Sequence, residues 1–348
     1  MADWKETLKR FDDARSSAEA NQLKELKRLN RGVDALAKMQ LATYAQAAWG
    51  DLSRKHVLVA DLVRASLGFR SAPDAPSLLA LIDRLGDRVA DVSANLYERL
   101  TPEERSDFLK WILIRYGKID TRSEAELTKY AATLDRAKAL PSLGEVTAGG
   151  RTHKINDLSS IGYGEMRFAT ASPWILTNDF FLKQYHHPLV HPRRGDVIID
   201  AGAFHGDSAL LFAHDTGYEC DIHSFELSER NIDVIRRNID LNPKCEKLIR
   251  INRIALSNQS GKDLSFDETL SDPSMFSLQA NPGNRTGLTR VTTISLDDYV
   301  RENRLAKVDF VKMDIEGGEG DALLGAQELL SQKKPRLAIA LYHNFDDL

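Results

Sequence analysis

Along the second half of the chain, short apolar runs end in an acid, a glycine or an asparagine, and longer amphipathic stretches follow them. DVIIDAGAFHGDSALLFAHDTG, from Asp196, reads as strand, tight turn and helix. CDIHSFELSERNIDVIRRNIDLN, from Cys220, repeats the pattern, and LIRINRIALSN, from Leu248, supplies a third strand. KVDFVKMDIEGGEGDALLGAQELLSQ, from Lys307, is again strand then helix, and PRLAIALYHN, from Pro335, is a last strand. Apolar strands alternating with helices predict a parallel sheet covered on both faces. Ligands of such sheets sit beyond the carboxyl ends of the strands, where the strand order reverses.

The first half follows a helical period. Leu23, Leu26, Leu29, Val33 and Leu36 form a stripe at spacings of three and four, which predicts a helix packed on its own domain. A short coiled coil that makes a homodimer is the alternative, but the stripe fades at Gln40 and Thr43, short of a sustained heptad run. LTPEERSDFLKWILIRY has Thr101 as cap, Pro102 in the first turn and Glu104 completing a capping box. RSEAELTKYAATLDRAKAL repeats the device with Ser123 and Glu126, and Pro141 stops it. AGGRTH at 148–153 reads as a linker. The expected organisation is a mostly α-helical domain over 1–148, serving as acceptor lid, docking module or dimerisation arm, and an α/β domain over 149–348.

Composition narrows the classes. The chain has 348 residues, 42% hydrophobic and 28% charged, with a net charge of −4. That balance gives no broad attraction to nucleic acid or to an anionic membrane. The charged opening MADWKETLKRFDDARSS has no signal-peptide core, and no apolar run is long enough to span a bilayer. Cys220 and Cys245 are the only cysteines, so neither a disulfide framework nor a cysteine metal site is expected. Cytoplasmic residence is the default.

The chemistry concentrates in the first α/β turn. Gly202 and Gly206 let the backbone turn sharply and bring it close to a ligand. The helix beginning near Asp207 and Ser208 points free N–H groups the same way. The dinucleotide spacing G-x-G-x-x-G and the P-loop pattern are both absent. Instead an acid, Asp200, precedes the first glycine. It suits an ammonium group better than a pyrophosphate, unless it only caps the helix. Glu226, at the tip of the next strand, is placed to accept hydrogen bonds from both hydroxyls of a ribose. An adenosine with a zwitterionic tail, as in S-adenosyl-L-methionine, satisfies both acids. The candidate contacts are Asp200, Gly202, Ala203, Phe204, Gly206, Ser208, Glu226, Leu227 and Ala255.

The stretches IIDAGAFHGDSALLFA, SFELSERNIDVIRRNIDLN, VTTISLDDYV with VDFVKMDIEGGEGDALLGAQELL, and KPRLAIALYH together resemble the FkbM family of class I S-adenosylmethionine-dependent methyltransferases. KMDIEGGE is the most diagnostic of them. The resemblance covers roughly residues 195 to 345. It implies a Rossmann-like sheet, with the final strands of that fold expected beyond the fifth, and O-methylation of a hydroxyl on a sugar, glycoconjugate or related natural product. Phe204 stands where many relatives have asparagine.

Alternation along the fourth strand puts Lys312 and Asp314 on one face, so Asp314 is expected at the crevice. Asp314 is a candidate base, orienting acceptor or metal ligand. Glu316 follows it in the turn, and Glu319 suits the first turn of a helix. His343, at the end of the fifth strand, is the alternative base because a neutral imidazole is available near pH 7. No convincing second ligand marks a divalent metal site beside Asp314. His186, His187 and His191 match no standard metal spacing and read as structural or exposed. Two other functions stand beside the transferase. One is a cofactor-binding module without turnover, or a fragment of a larger multidomain protein. The other is a nicotinamide-dependent oxidoreductase, which lacks its glycine spacing here.

Overall fold

The structure, a computed structural model, describes residues 58, 62, 88–115, 122–266 and 288–343. The chain divides into two compact units, Met1–Ser123 and Glu124–Leu348. The stripe from Leu23 to Leu36, and with it the choice between a self-packed helix and a dimerising coiled coil, lies outside the described residues.

In the first unit, α1 (Arg88–Asn95) leads through a 3-10 turn at Tyr97–Arg99 to α2 (Pro102–Arg115). The capping box forms. The Thr101 N–H donates to Glu104 Oε2 at 2.8 Å, and the Glu104 N–H donates to Thr101 Oγ1 at 3.3 Å. Two N–H groups that a helix start leaves without partners are thereby satisfied. α2 buries Leu109, Ile112 and Leu113, spaced three and four apart on one face.

The second unit opens with α3 (Glu124–Lys138), and here the structure corrects the expected boundary. Residues 148–153 are not a linker. β1 (Ser142–Ala148) and β2 (Arg151–Asp157) pair antiparallel across them. Gly149 and Gly150 both have positive φ, 56° and 75°, as a two-residue type I′ hairpin requires. β3 (Arg167–Thr170) pairs with β2 and completes a meander. The boundary therefore falls after Ser123 rather than after Ala148. Two glycines in a row read equally as a flexible joint or a tight turn, and β1 is mostly exposed, so it lacks the alternation that would mark a strand.

A helical segment, Pro173–Ile175 continued by a wider π-type turn over Leu176–Phe181, precedes the main sheet. The sheet consists of β4 (Val197–Ala201), β5 (Asp221–Phe225), β6 (Ile249–Asn252), β10 (Phe310–Met313) and β11 (Arg336–Ile339). Their order is β11-β10-β4-β5-β6, every neighbouring pair parallel. The helices α4 (Asp207–Asp215), α5 (Glu229–Asp240), α6 (Leu296–Glu302) and α7 (Glu319–Leu324) belong to the same unit. Ile198 and Phe310 pack on one face with Leu210, Leu211 and Phe212 of α4. Ile199, Val311 and Met313 pack on the other with Leu296, Ala322 and Leu329. Burial on both faces explains the unbroken apolar strands. The third predicted strand is broken: after β6 the chain leaves the main sheet, and β7 (Ala255–Leu256) joins β9 (Thr289–Ile294) and β8 (Asp263–Phe266) in a small second sheet.

The strand order reverses between β4 and β10, so the crevice opens where Gly202 and Asp314 follow those strands. Side chains of α5 and of the turn after it tie the meander to this place. The Asn238 Oδ1 accepts the Ala169 N–H at 2.7 Å, and its Nδ2 donates to the carbonyls of Ala169 at 3.2 Å and of His205 at 2.9 Å. Asn242 treats Arg167 likewise, accepting its N–H at 3.0 Å and donating to its carbonyl at 2.6 Å. The free edge of β3 is thus paired by amide side chains instead of by another strand. Asn238→Ala removes three buried hydrogen bonds and leaves backbone groups unpaired. We expect it to lower unfolding stability by about 2–4 kcal/mol in a urea titration. A midpoint indistinguishable from that of the unchanged protein would mean that the meander does not depend on this helix.

Candidate functional site

The first turn is shaped by packing before any ligand is considered. Gly202 has φ +81°, and a Cβ there would stand 1.8 Å from the carbonyl oxygen of Asp314. Gly206 has φ +81° and lies against Ile235 of α5. Glycine is therefore required because β10 and α5 approach the turn so closely. Phe204 adopts φ +45° without being glycine, a strained conformation held by its surroundings.

Asp200 is fully buried and is not among the residues lining the cavity. Its Oδ1 accepts from the Ser208 hydroxyl at 2.8 Å, and its Oδ2 from the Ser224 hydroxyl at 3.2 Å. The Lys312 ammonium stands 3.5 Å from Oδ1. This corrects the expectation that Asp200 recognises an ammonium group on a ligand: the ammonium it holds belongs to the protein. Register places Lys312 directly beside Asp200 on β10, a pairing that strand spacing alone does not reveal. Ala203, Gly206 and Ser208 also lie behind the cavity wall rather than on it.

The cavity at the switch point has a volume of about 700 Å³. Of the sequence candidates, Gly202, Phe204, Glu226, Leu227, Ala255, Asp314 and Glu316 line it. Glu226 Oε1 accepts the N–H groups of Leu227 at 2.8 Å and Ser228 at 2.9 Å, and its Oε2 accepts that of Phe204 at 3.0 Å. One carboxylate thereby braces both turns. Burial pushes its pKa up to about 7 against the pull of those N–H groups. Apolar Leu227, Ile254, Ala255 and Leu256 form an adjoining wall. Sequence reading missed Asp179, Gln184, Tyr185 and Trp174, which come from the segment ahead of β4 and carry no periodic signal. It also gave no role to Asp207, Lys312 and Tyr342, although these sit within the quoted motifs.

Asp314 is held from several sides. Its Oδ2 accepts from the Tyr185 hydroxyl at 2.5 Å, and the Tyr342 hydroxyl reaches Oδ1 at 3.0 Å and Oδ2 at 2.9 Å. His343 Nε2 lies 3.4 Å from Asp314 Oδ1 and 3.2 Å from Glu316 Oε2, and its Nδ1 lies 3.1 Å from Glu319 Oε1. Glu319 also accepts the Ile315 N–H at 2.7 Å, so it closes the turn at the start of α7. Burial opposes a charge on His343, but the bonds and fields of Glu316 and Glu319 prevail and raise its pKa to about 10. The imidazole is then a cation at neutral pH and has no lone pair to accept a proton. That weighs against the alternative in which His343 is the base. Asp314, Glu316 and His343 also offer ligand atoms within 4.8 Å of one another. A divalent cation can use that spacing only if the imidazole gives up its proton.

The three histidines of the loop stay clear of this cluster. His186 Nδ1 lies 3.2 Å from Asp215. His191 stacks on His186 at 4.7 Å and its Nδ1 is 3.1 Å from the His187 carbonyl.

A doubly covered parallel sheet with its cavity at this switch point is an open α/β fold. Residues 200–347 match the family described as the methyltransferase FkbM domain. Among solved structures, the methyltransferase FkbM from Methylobacillus flagellatus KT aligns at 19% identity with a TM-score of 0.33. That alignment covers 64% of this chain and 51% of the other, so the chain spans about half the length of the relative. No curated protein matches. Among the described residues, no helix is long and apolar enough to cross a membrane.

The charge on His343 is measurable. Its folded pKa is raised above the ordinary value near 6.5, so its stabilising effect is complete below about 6.5 and is lost as pH rises through about 10. Imidazole NMR should show one histidine that stays protonated from pH 6 to 9. A His343 signal titrating near 6.5 would restore the neutral-base assignment.

Proposed function

We propose that the chain is an S-adenosyl-L-methionine-dependent O-methyltransferase acting on a hydroxyl of a sugar, glycoconjugate or related natural product. The observation that carries this reading is one cavity of about 700 Å³ joining Glu226, the glycine turn and Asp314. The match to the FkbM domain over residues 200–347 supports methyl transfer, and the resemblance of its motifs supports the hydroxyl acceptor. The residues fit the cofactor's chemistry: a carboxylate for ribose hydroxyls beside an apolar wall for a flat base.

When bound, S-adenosylmethionine supplies an electrophilic methyl group on a sulfonium. The protein's part is positioning, exclusion of water and removal of one proton. Glu226 accepts hydrogen bonds from the ribose. Asp314 orients the acceptor hydroxyl and accepts its proton as the oxygen attacks. Tyr185 and Tyr342 fix the Asp314 carboxylate, and Tyr342, partly exposed at the mouth, is the donor an incoming hydroxyl can displace. His343 holds Asp314 and Glu316 in place without exchanging a proton.

Asp314→Asn should lower labelled-methyl transfer roughly 10²-fold while S-adenosylhomocysteine binding stays within about twofold. Normal transfer by that variant would leave proximity to the sulfonium as the whole of catalysis. A loss of activity with chelator, restored by added Mg²⁺ or Mn²⁺, would reassign Asp314 as a metal ligand.

Cofactor affinity should rise with pH through about 7, as Glu226 ionises and becomes a full acceptor. Glu226→Gln should remove the part of that pH dependence shared with the tail-less 5′-methylthioadenosine and weaken binding by about 10-fold or more. Equal affinity in the two proteins at pH 8 would place the ribose elsewhere.

A further inference from the structure

Two more acids face the cavity, and neither ribose recognition nor proton removal employs them. Asp179 comes from the π-type turn ahead of the sheet, and Asp207 is the first residue of α4. Both line the cavity. They are 2% and 7% exposed, and their carboxyl groups lie within hydrogen-bonding reach of each other.

Their partners are few. One Asp179 oxygen accepts from the Gln184 amide at 2.7 Å. Asp207 accepts the His205 N–H at 3.3 Å, a contact inside its own turn. Lys312 is committed elsewhere, to Asp200 at 3.5 Å and to the carbonyls of Ala201 at 3.2 Å and Gly202 at 2.5 Å. Among the described residues neither acid forms an ion pair. Asp207 is therefore more than nine-tenths buried, faces the cavity and has no direct ion-pair partner among the described residues.

Two carboxyl groups within hydrogen-bonding reach of each other repel when both are ionised, which favours one proton shared between them. Burial raises both pKa values. Repulsion from Asp207 adds to the rise at Asp179, and Asp200 adds to that at Asp207, while Lys312 pulls both the other way. Tyr185 and Gln184 also face Asp179, the one neutral and the other a donor.

We propose that Asp179 and Asp207 form the seat for the α-ammonium group of the cofactor's amino-acid tail, which replaces the proton the two carboxyl groups share. The seat rests on the cavity holding S-adenosylmethionine. An ammonium brings three N–H donors to a carboxyl pair that otherwise receives one hydrogen bond apiece, from Gln184 and from the His205 N–H. A hard divalent cation needs more oxygen ligands than this pair offers. The role that the sequence assigns to Asp200 thus passes to two residues in front of it. One of them, Asp179, lies upstream of the segment that matches the family.

Calorimetry with two ligands tests the seat. 5′-Methylthioadenosine has the adenosine and the sulfur but no amino-acid tail; S-adenosylhomocysteine has all three. Proton release is measured at pH 7 in buffers of low and high ionisation enthalpy. Any proton lost from Glu226 is common to both ligands and cancels in the difference. The unchanged protein should release up to about one proton more with S-adenosylhomocysteine and bind it at least 10-fold more tightly. Asp179→Asn combined with Asp207→Asn should bind 5′-methylthioadenosine normally, lose the excess proton and lose about 10- to 100-fold in affinity for S-adenosylhomocysteine. Asp179→Asn alone, a smaller change to the fold, should abolish the excess proton release. Excess release that persists in either variant, or unchanged tail-dependent affinity in the double variant, overturns the seat while leaving the cofactor reading intact. An unchanged protein that binds neither ligand overturns the cofactor reading itself.

Discussion

The site is organised around one buried ion pair. Lys312 and Asp200 sit side by side on adjacent parallel strands, both almost without access to water, at the point where the strand order reverses. A buried pair is stable only when its remaining hydrogen-bonding capacity is met. Here Ser208 and Ser224 complete Asp200, while the carbonyls of Ala201 and Gly202 complete Lys312. Those contacts reach from β10 to the glycine turn, from the turn to the start of α4, and from β4 to β5. Removing one partner would leave the other charged and buried, at a cost of about 3–5 kcal/mol. The ammonium of Lys312 also lies 5.0 Å from the Tyr185 ring centre, and the Tyr185 hydroxyl in turn grips Asp314. The pair therefore fixes the far wall of the cavity as well as the turn.

Both lips of the cavity store backbone strain. Phe204 on the glycine turn and Glu316 after β10 have φ of +45° and +57°, and both line the cavity. Such residues persist only where their surroundings over-determine them. Phe204 is held by its N–H on Glu226 and by stacking on His205 at 4.0 Å. Glu316 is held by the His343 cation at 3.2 Å. The packing of Gly202 against the Asp314 carbonyl brings the two lips to the same place. The glycine in this motif thus serves the approach of two backbones at least as much as that of a ligand.

How much of this the sequence discloses follows from which forces act locally. The strands of the main sheet are buried on both faces, so they read as apolar runs, and their tips fall where an acid or glycine ends each run. That is why Glu226, Gly202 and Asp314 were legible as cavity residues. Asp200 shows the limit: its place at a strand tip is visible, but its ion pair depends on β10 lying next to β4, more than a hundred residues away in sequence. His343 was legible as a neighbour of Asp314, whereas its charge depends on Glu316 and Glu319 meeting it in space. Asp179 and Tyr185 come from an irregular segment with no period to read. The hairpin at Gly149 and Gly150 looked like a linker because its first strand is largely exposed and carries no apolar alternation.

The balance of charge around the cavity gives these parts a common direction. Asp179, Asp207, Glu226, Asp314 and Glu316 line it against the single amine of Lys312, and that amine is already paired. Some of this excess is masked by protons, on Glu226 up to about pH 7 and between the two buried aspartates. An acidic wall kept partly protonated by burial favours a ligand that brings its own positive charge, since the ligand can take over from the proton. On the proposed reading the incoming cofactor carries both a sulfonium and an ammonium. On that reading methyl transfer would remove the sulfonium charge and leave the ammonium. The same wall would then attract the spent cofactor less strongly than the fresh one, because the Coulomb attraction in a partly desolvated cavity falls with each charge lost. A difference of this sign would favour exchange of product for a new cofactor.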